Sequence, residues 1–454
     1  MNTPPSIFNN VLGPVMRGPS SSHTAAAVRI GLLARRLLGE EPVMAEFTFD
    51  PRGSLATTYR GQGSAMGLAG GLLGLDIKDS ALVTAEETAA AKGLTIKYTI
   101  KEYGAVHPNT YMTYIKGASG RELRFTALST GGGIIRLTEL DGKEINDDLD
   151  YINPLMPLPL KRDAVLPFRG LAELNEIIGK KGGSLSSFAV DYEAALGDVT
   201  AGKIITMARF HLNIMQDAIA AGLAGTEYTD RLLHRQSHLM SLLPAVGRLI
   251  PSDLTNSIIQ SVTAVMEVKS SMGLIIAAPT AGSCATIPGV LMPSAKAAGS
   301  KEEDMTNALL AAGLTGVFIA GKGGFAAEEG GCQYECGSAS AMAAAALVEL
   351  MGGHAAMSLN AASMALQNTL GMICDPVADR VEVPCLGKNI MAALNALAAA
   401  NMIIAGYRHV IPLEEVIEAM QEVGSGMDHK YRCTCKGGLS VTPTALRIHR
   451  DLEE

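Results

Sequence analysis

The chain has 454 residues, 48% of them hydrophobic and 18% charged, enough to bury a large core and more than one domain usually holds. Its net charge of −8 comes without any basic tract, which argues against nucleic acid or an anionic membrane as the main partner and leaves a small molecule. Tryptophan is absent while glycine and methionine abound, so the interior is expected to consist of closely approaching Ala/Gly/Met helices. The apolar stretch 272–292 is interrupted by Pro279, Gly282 and Pro288, and 389–405 is shorter than the roughly 20 residues of a bilayer span, so both read as core helices. The first ten residues lack the charged and apolar regions of a signal peptide, and a cytoplasmic setting is the expectation.

The opening segment carries Ser20, Ser21, Ser22, His23 and Thr24 just before a run with helical spacing. Hydroxyls and an imidazole at that place would cap free N–H groups, and the same positive end attracts an anion such as a carboxylate. From 44 to 152 the pattern changes to short alternating runs such as AEFTFD, LTIKYTI and NTYMTYIKG, read as strands, with helical patterns at 65–73 and 81–92. Two loops stand out in this α/β module: His107-Pro108-Asn109-Thr110, and the run Ser129-Thr130-Gly131-Gly132-Gly133, which either cradles a phosphate or carboxylate or marks a turn. Pro154, Pro157, Pro159 and Pro167 then forbid a regular helix. The expected organisation is α+β: an α/β domain over 1–152, an extended linker over 153–170, and an all-α domain over 171–454.

Within the second part, helical periodicity covers 171–180, 204–224, 230–249, 254–271, 301–320, 338–351, 360–370, 389–405 and 413–423. Ser300 with Glu303 reads as a capping box, and 338–351, apolar on nearly every face, as the central helix. Polar loops interrupt the helices at 278–284, 321–324 and 430–438. The first, with Thr280, Ala281, Gly282 and Ser283, offers N–H groups to a substrate carboxylate. Cys332, Cys374 and Cys385 lie beside Gly and Pro, 42 and 11 residues apart, too far for a CxxC finger. Three loop-borne thiols suggest an iron-sulfur cluster with one iron left unclaimed, able to act as a Lewis acid. The competing reading is that they are small buried hydrophobes of an Ala-rich core.

Taken together, SSSHT, HPNT, STGGG, APTAGS, CQYECG, CDPV, VPC and the KY…GGLSV tail resemble the iron-sulfur L-serine dehydratases in their fused form, almost end to end and in the same order. The resemblance implies a 4Fe-4S cluster on Cys332, Cys374 and Cys385, conversion of L-serine to pyruvate and ammonia, and a homodimer. The substrate carboxylate would be held by Ser20, Ser21, Ser22, Thr24 and the Thr280–Ser283 loop, with Lys269, Lys322 or Lys388 as cationic aids.

The chain departs from the family at informative places. Gly61-Gln62-Gly63 stands where the family has a GHG tripeptide with its favoured base, and Gln cannot take up a proton in the working pH range. Gln367-Asn368-Thr369 replaces Glu-His-Asn, and Lys430-Tyr431-Arg432-Cys433-Thr434 replaces KYKET. The sequence ends in Asp451-Leu452-Glu453-Glu454, without the terminal cysteine of some relatives. His23 is then the preferred base, ahead of His107 or a lysine of depressed pKa. Cys433 and Cys435 are either a reactive pair or tail packing. Two other functions fit parts of the pattern: a pyridoxal-phosphate dehydratase with STGGG as phosphate cup and Lys322 as Schiff base, and a non-catalytic iron-sulfur or amino-acid sensor.

Overall fold

The structure, a computed structural model, describes residues 3–242 and 249–453. The first part is built on a six-stranded mixed sheet, in the order β3 (Thr95–Ile100), β2 (Pro42–Phe49), β4 (Thr110–Gly117), β5 (Glu122–Ser129), β6 (Ile135–Leu140) and β7 (Lys143–Glu144). Only the β2–β3 pair is parallel. Alternation puts Phe47, Phe49, Tyr111, Ile115, Phe125, Ala127 and Leu137 on a buried face, in one core with α1 (Ala26–Leu38) and α2 (Ser64–Leu72). The expected helix at 81–92 is split into a 3₁₀ turn, Ser80–Thr84, and α3 (Ala85–Ala91).

α1 and α2 approach closely because glycines face each other. A Cβ on Gly71 would fall 2.2 Å from Val28 O and 2.8 Å from Gly31 Cα, and one on Gly67 would fall 2.5 Å from Thr24 O. This contact brings the start of α1, with its serines, against the 58–63 turn.

The second part is helical: α4 (Leu171–Lys181), α5 (Leu185–Gly197), α6 (Ala201–Ala224), α7 (Asp253–Ser270), α8 (Thr286–Ala298), α9 (Glu302–Ala320), α10 (Ser338–Leu350), α11 (Ala355–Gln367), α12 (Cys385–Ile404), α13 (Leu413–Gly426) and α14 (Pro443–Glu453). α10 is buried along almost its whole length, as its all-round apolar sequence requires. Residues 7–16 join this helical core: Ile7 and Val11 fill space left by Gly313 and Gly316 on α9. The buried Glu193 carboxylate, pushed up to about 7 by burial, accepts from Ile7 N at 2.9 Å, and β1 (Val15–Arg17) pairs antiparallel with β8 (Leu274–Ile276). No described helix is long and apolar enough to cross a membrane.

Three local expectations are corrected. The helix expected over 230–249 is reduced to Leu239–Leu242, and its remainder at 243–248 lies outside the described residues. Upstream, the buried carboxylates of Glu382 and Glu267 take the N–H groups of Leu232, Leu233, Gln236 and Ser237 that a helix would have spent internally. α9 is capped by Asp304, which accepts from Lys301 N at 2.8 Å, one residue beyond the expected Ser300/Glu303 box. The stretch 272–292, expected as a core helix, is instead β8, a 3₁₀ turn at Ala281–Ser283 and the start of α8, which tolerates Pro288 because it falls in the first turn, where no intrahelical N–H is needed.

The glycines divide into two kinds with opposite expectations. Gly71→Ala should lower the thermal midpoint, since overpacking against backbone costs about 1–3 kcal/mol. Gly179→Ala, in α4 with nothing within 4 Å of its added Cβ, should raise stability by up to about 1 kcal/mol through helix propensity. Calorimetric or circular-dichroism melting of the two variants checks both signs.

Candidate active site

The serine-rich motif forms a wide helical turn, Ser21–Ala25, that runs directly into α1, and the Ser20 hydroxyl accepts from His23 N at 3.3 Å. His23 is fully buried. Its Nε2 lies 2.7 Å from Thr58 Oγ1, and its Nδ1 faces Ser22 Oγ at 3.0 Å, Ser20 Oγ at 3.2 Å and Glu328 Oε1 at 3.5 Å. The partners decide the tautomer. The Thr58 hydroxyl donates to Ser54 O at 2.7 Å, so toward His23 it can only accept, and the ring proton sits on Nε2. Ser22 spends its proton on Glu328 Oε1 at 2.7 Å. Nδ1 therefore keeps its lone pair toward the serines, and burial, partly offset by Glu328, pulls the imidazole below its usual pKa.

The loop at 280–283 closes on the same place. Ala281 N donates to Ser21 Oγ at 3.1 Å, and Thr280 Oγ1 donates to Glu335 Oε1 at 2.7 Å. Gly282 is glycine for a reason of space, since a Cβ would fall 2.8 Å from Glu335 Oε1. Ser283 turns back to Thr280 Oγ1 at 3.1 Å and Ala278 O at 3.3 Å, bracing the loop. Glu335 is half-buried; desolvation, followed by the charges of Cys332 and Glu328, pushes its carboxyl up to about 8.

Sulfur lies beside this carboxylate. The donor atoms of Cys332, Glu335 and Cys374 all lie within 4.8 Å of one another, a spacing able to hold a metal ion. A hydrogen bond from Cys374, working against burial and helped by the Lys388 charge, lowers the Cys332 thiol to about 7. Cys385 is buried close enough to feel the charges of Cys332 and Glu335, which together with desolvation push its thiol up. It is not on a loop as expected but opens α12. Around the sulfurs stand N–H donors: Lys388 Nζ at 3.6 Å from Cys332 Sγ, and Asn389 Nδ2 at 3.7 Å from Cys336 Sγ, with its other contacts to Gly282 O and Cys385 O. A donor such as Lys388 at the Cys332 sulfur suits a metal-bound thiolate, and with the close Cys332/Glu335/Cys374 set the residues fit a thiolate-held metal group. Cys284 and Cys336, like Cys385, are buried thiols raised mainly by desolvation.

The lysines separate. Lys388 belongs to the thiol centre: its Nζ donates to Asp375 Oδ1 at 2.9 Å and Ile373 O at 2.7 Å, and against burial the sulfurs and Asp375 keep it charged. Lys269 is fully buried near Cys385 and Cys284, and its ammonium is bonded to Val381 O. Lys322 is not brought to the centre. It is 41% exposed and paired with Glu418 at 2.9 Å and Glu414 at 3.3 Å, which raise its pKa, the reverse of what a Schiff-base lysine needs. The 129–133 loop supports the serines: Ser129 Oγ donates to Ser22 O at 2.8 Å, Arg29 holds Gly133 O, and Gly131 admits the Ala326 backbone. Thr24 donates to Gln62 O at 2.9 Å, tying the turn to the 61–63 segment.

Sequence reasoning missed Glu328, Glu335 and Thr58. Acidic residues inside an Ala/Gly run next to Cys332 were a usable signal for the first two, and Thr58 had none. Asn109 is fully buried, yet neither end of its amide finds a hydrogen-bond partner among the described residues. Its neighbour His107 pairs with Glu329 at 2.6 Å.

The sequence profile described as serine dehydratase alpha chain matches residues 79–440. The chain belongs to that family. It is 36% identical to the probable L-serine dehydratase alpha chain of Bacillus subtilis over 63% of this chain and 95% of that protein. It is 31% identical to an L-serine dehydratase of Streptomyces coelicolor over 93% of this chain and 96% of that protein, and 29% identical to L-serine dehydratase 1 of Escherichia coli over the same shares. For a family member built this way, Lys322→Ala should leave turnover within about twofold, because an exposed ion pair contributes less than about 1 kcal/mol. A tenfold loss in a steady-state assay would return Lys322 to the site.

Proposed function

We propose that the chain is an L-serine dehydratase, a lyase that converts L-serine to pyruvate and ammonia where residues 20–24, 58–62 and 280–283 meet the thiols. The observation that carries this is the gathering of a buried imidazole, the Glu328 and Glu335 carboxylates and the cysteine set in one place. It is supported by the activity in the names of relatives that align with most of the chain. Cys332, Cys374 and Cys385 would hold a 4Fe-4S cluster, which when bound supplies a Lewis acid for the departing hydroxyl.

The chain's own residues supply the rest. His23 Nδ1 takes the α-proton, and Glu328 at 3.5 Å stabilises the imidazolium that results. Glu328 also offers a counter-charge to the substrate ammonium. The Ser20 and Ser21 hydroxyls, with the unpartnered Asn109 amide, are the donors for the carboxylate; Ser22, Thr24, Thr280 and Ser283, whose protons go to Glu328, Gln62 O, Glu335 and Ala278 O, brace the pocket, and Lys388 adds positive charge on the thiol side. Loss of the α-proton and the hydroxyl releases one water and leaves aminoacrylate. Its imine tautomer consumes one water to give pyruvate and ammonia, so the sum balances. A cytoplasmic, homodimeric enzyme belongs to the same proposal.

Anaerobically reconstituted protein should carry about four irons and four sulfides per chain and release pyruvate from serine in preference to threonine, cysteine or hydroxyaspartate. Protein without iron, or iron-loaded protein that turns over none of these, overturns the proposal. A second expectation concerns the base. Because burial lowers the His23 pKa, the imidazole is neutral at pH 7. kcat/KM should then be level through neutrality and fall only below the usual imidazole range. Thr58→Val removes the acceptor that holds the proton on Nε2. It should lower kcat about tenfold, about 1.4 kcal/mol of barrier, with iron content unchanged; an unchanged kcat would remove His23 from the role.

A further inference from the structure

The loop that carries Cys433 is fastened to Cys374 by backbone pairing. Cys374 N donates to Tyr431 O at 2.8 Å, Cys433 N donates to Cys374 O at 3.1 Å, and residues 374 and 432 form a parallel bridge. Residue 433 thereby stands beside Cys374, and the two thiols hydrogen-bond to each other. Cys332, Cys374 and Cys433 form one buried cluster with Ala327, each at most 6% exposed.

Two further features set this cysteine apart from a core thiol. Its φ is +55°, a left-handed conformation that is strained for a non-glycine residue. The amide of Gln62, itself 1% exposed, donates to its Sγ at 3.6 Å. A neutral thiol is a poor acceptor for a buried amide and leaves that donor ill satisfied. A metal-bound thiolate is a good acceptor. Cys435 shares the left-handed backbone but not the environment: its Sγ faces Pro376 O at 4.0 Å.

We propose that Cys433 is a fourth thiolate ligand of the metal centre, completing the set Cys332, Cys374 and Cys385 while no substrate is bound. This rests on the cluster reading above and adds to it a donor outside the three expected. The position that a substrate oxygen needs is then closed to solvent and oxidant at rest. Serine gains it by competing with the Cys433 sulfur, which stays within reach of the Gln62 amide.

The test uses wild type, Cys433→Ala, Cys433→Ser and Cys435→Ala, each reconstituted anaerobically without substrate and checked for folding by circular dichroism. Iron and sulfide are counted before and after mild ferricyanide oxidation, and electron paramagnetic resonance follows the three-iron form. Wild type and Cys435→Ala should keep their full iron. Cys433→Ala should lose about one iron in four and develop the three-iron signal, with Cys433→Ser, closest to the native side-chain size, doing the same. If wild type starts with four irons but loses one as readily as the Cys433 variants, or if the variants resist as wild type does, the fourth-ligand inference is overturned and the cluster reading stands. If wild type binds no iron, both fall.

Discussion

The pairing of Cys374 with the 431–433 segment is the constraint on which the thiol centre depends. Without it the sulfurs at 332 and 374 would face an open side, since nothing else among the described contacts fastens the loop after α13 to the middle of the chain by backbone hydrogen bonds at this point. The pairing is reinforced from both ends. Asp375 accepts from Leu439 N at 2.9 Å while holding Lys388, and Ser54 and Thr57 of the first part donate to Cys433 O and Thr434 O. A single loop is thus stitched to the helical core and to the sheet-bearing part at once.

Burial of charge explains how the rest is arranged. A carboxylate removed from water costs several kcal/mol unless it is partnered; Glu328 is buried and Glu335 half-buried. Each is met by a hydroxyl from a different motif, Ser22 for the first and Thr280 for the second. The hydroxyl-rich motifs are therefore held in place by the same acids that they satisfy. Close glycine contacts between α1 and α2 set the position of the serine turn, and Thr58 sets the imidazole proton. Positioning of the His23 imidazole comes from the first part and positioning of the thiols from the second, so both parts shape the site.

Much of this was legible from the residues. The strands in 44–152 and most helices after 171 follow from period and breakers, and the apolar run that becomes α10 lies where its composition demands. The motifs SSSHT and APTAGS and the thiols at 332, 374 and 385 meet around the acids Glu328 and Glu335. What could not be read was pairing at long range. Glu267 and Glu382 replace a helix with a capped loop at 231–237, and no local pattern announces carboxylates 30 and 150 residues away. Lys322 looked like a cation on a glycine loop, but two glutamates of α13 hold it at the surface. Cys433 looked like either packing or a reactive thiol because its neighbour Cys374 is 59 residues distant in sequence.

The central claim is that thiols from separate stretches of the chain enclose one iron centre. Diffraction from anaerobically grown crystals of the reconstituted protein, collected on both sides of the iron absorption edge, tests it most directly. The account predicts one compact anomalous peak enclosed by the sulfurs of Cys332, Cys374 and Cys385. It is contradicted if no such peak is found there, if iron lies elsewhere, or if those sulfurs prove to be joined in disulfides.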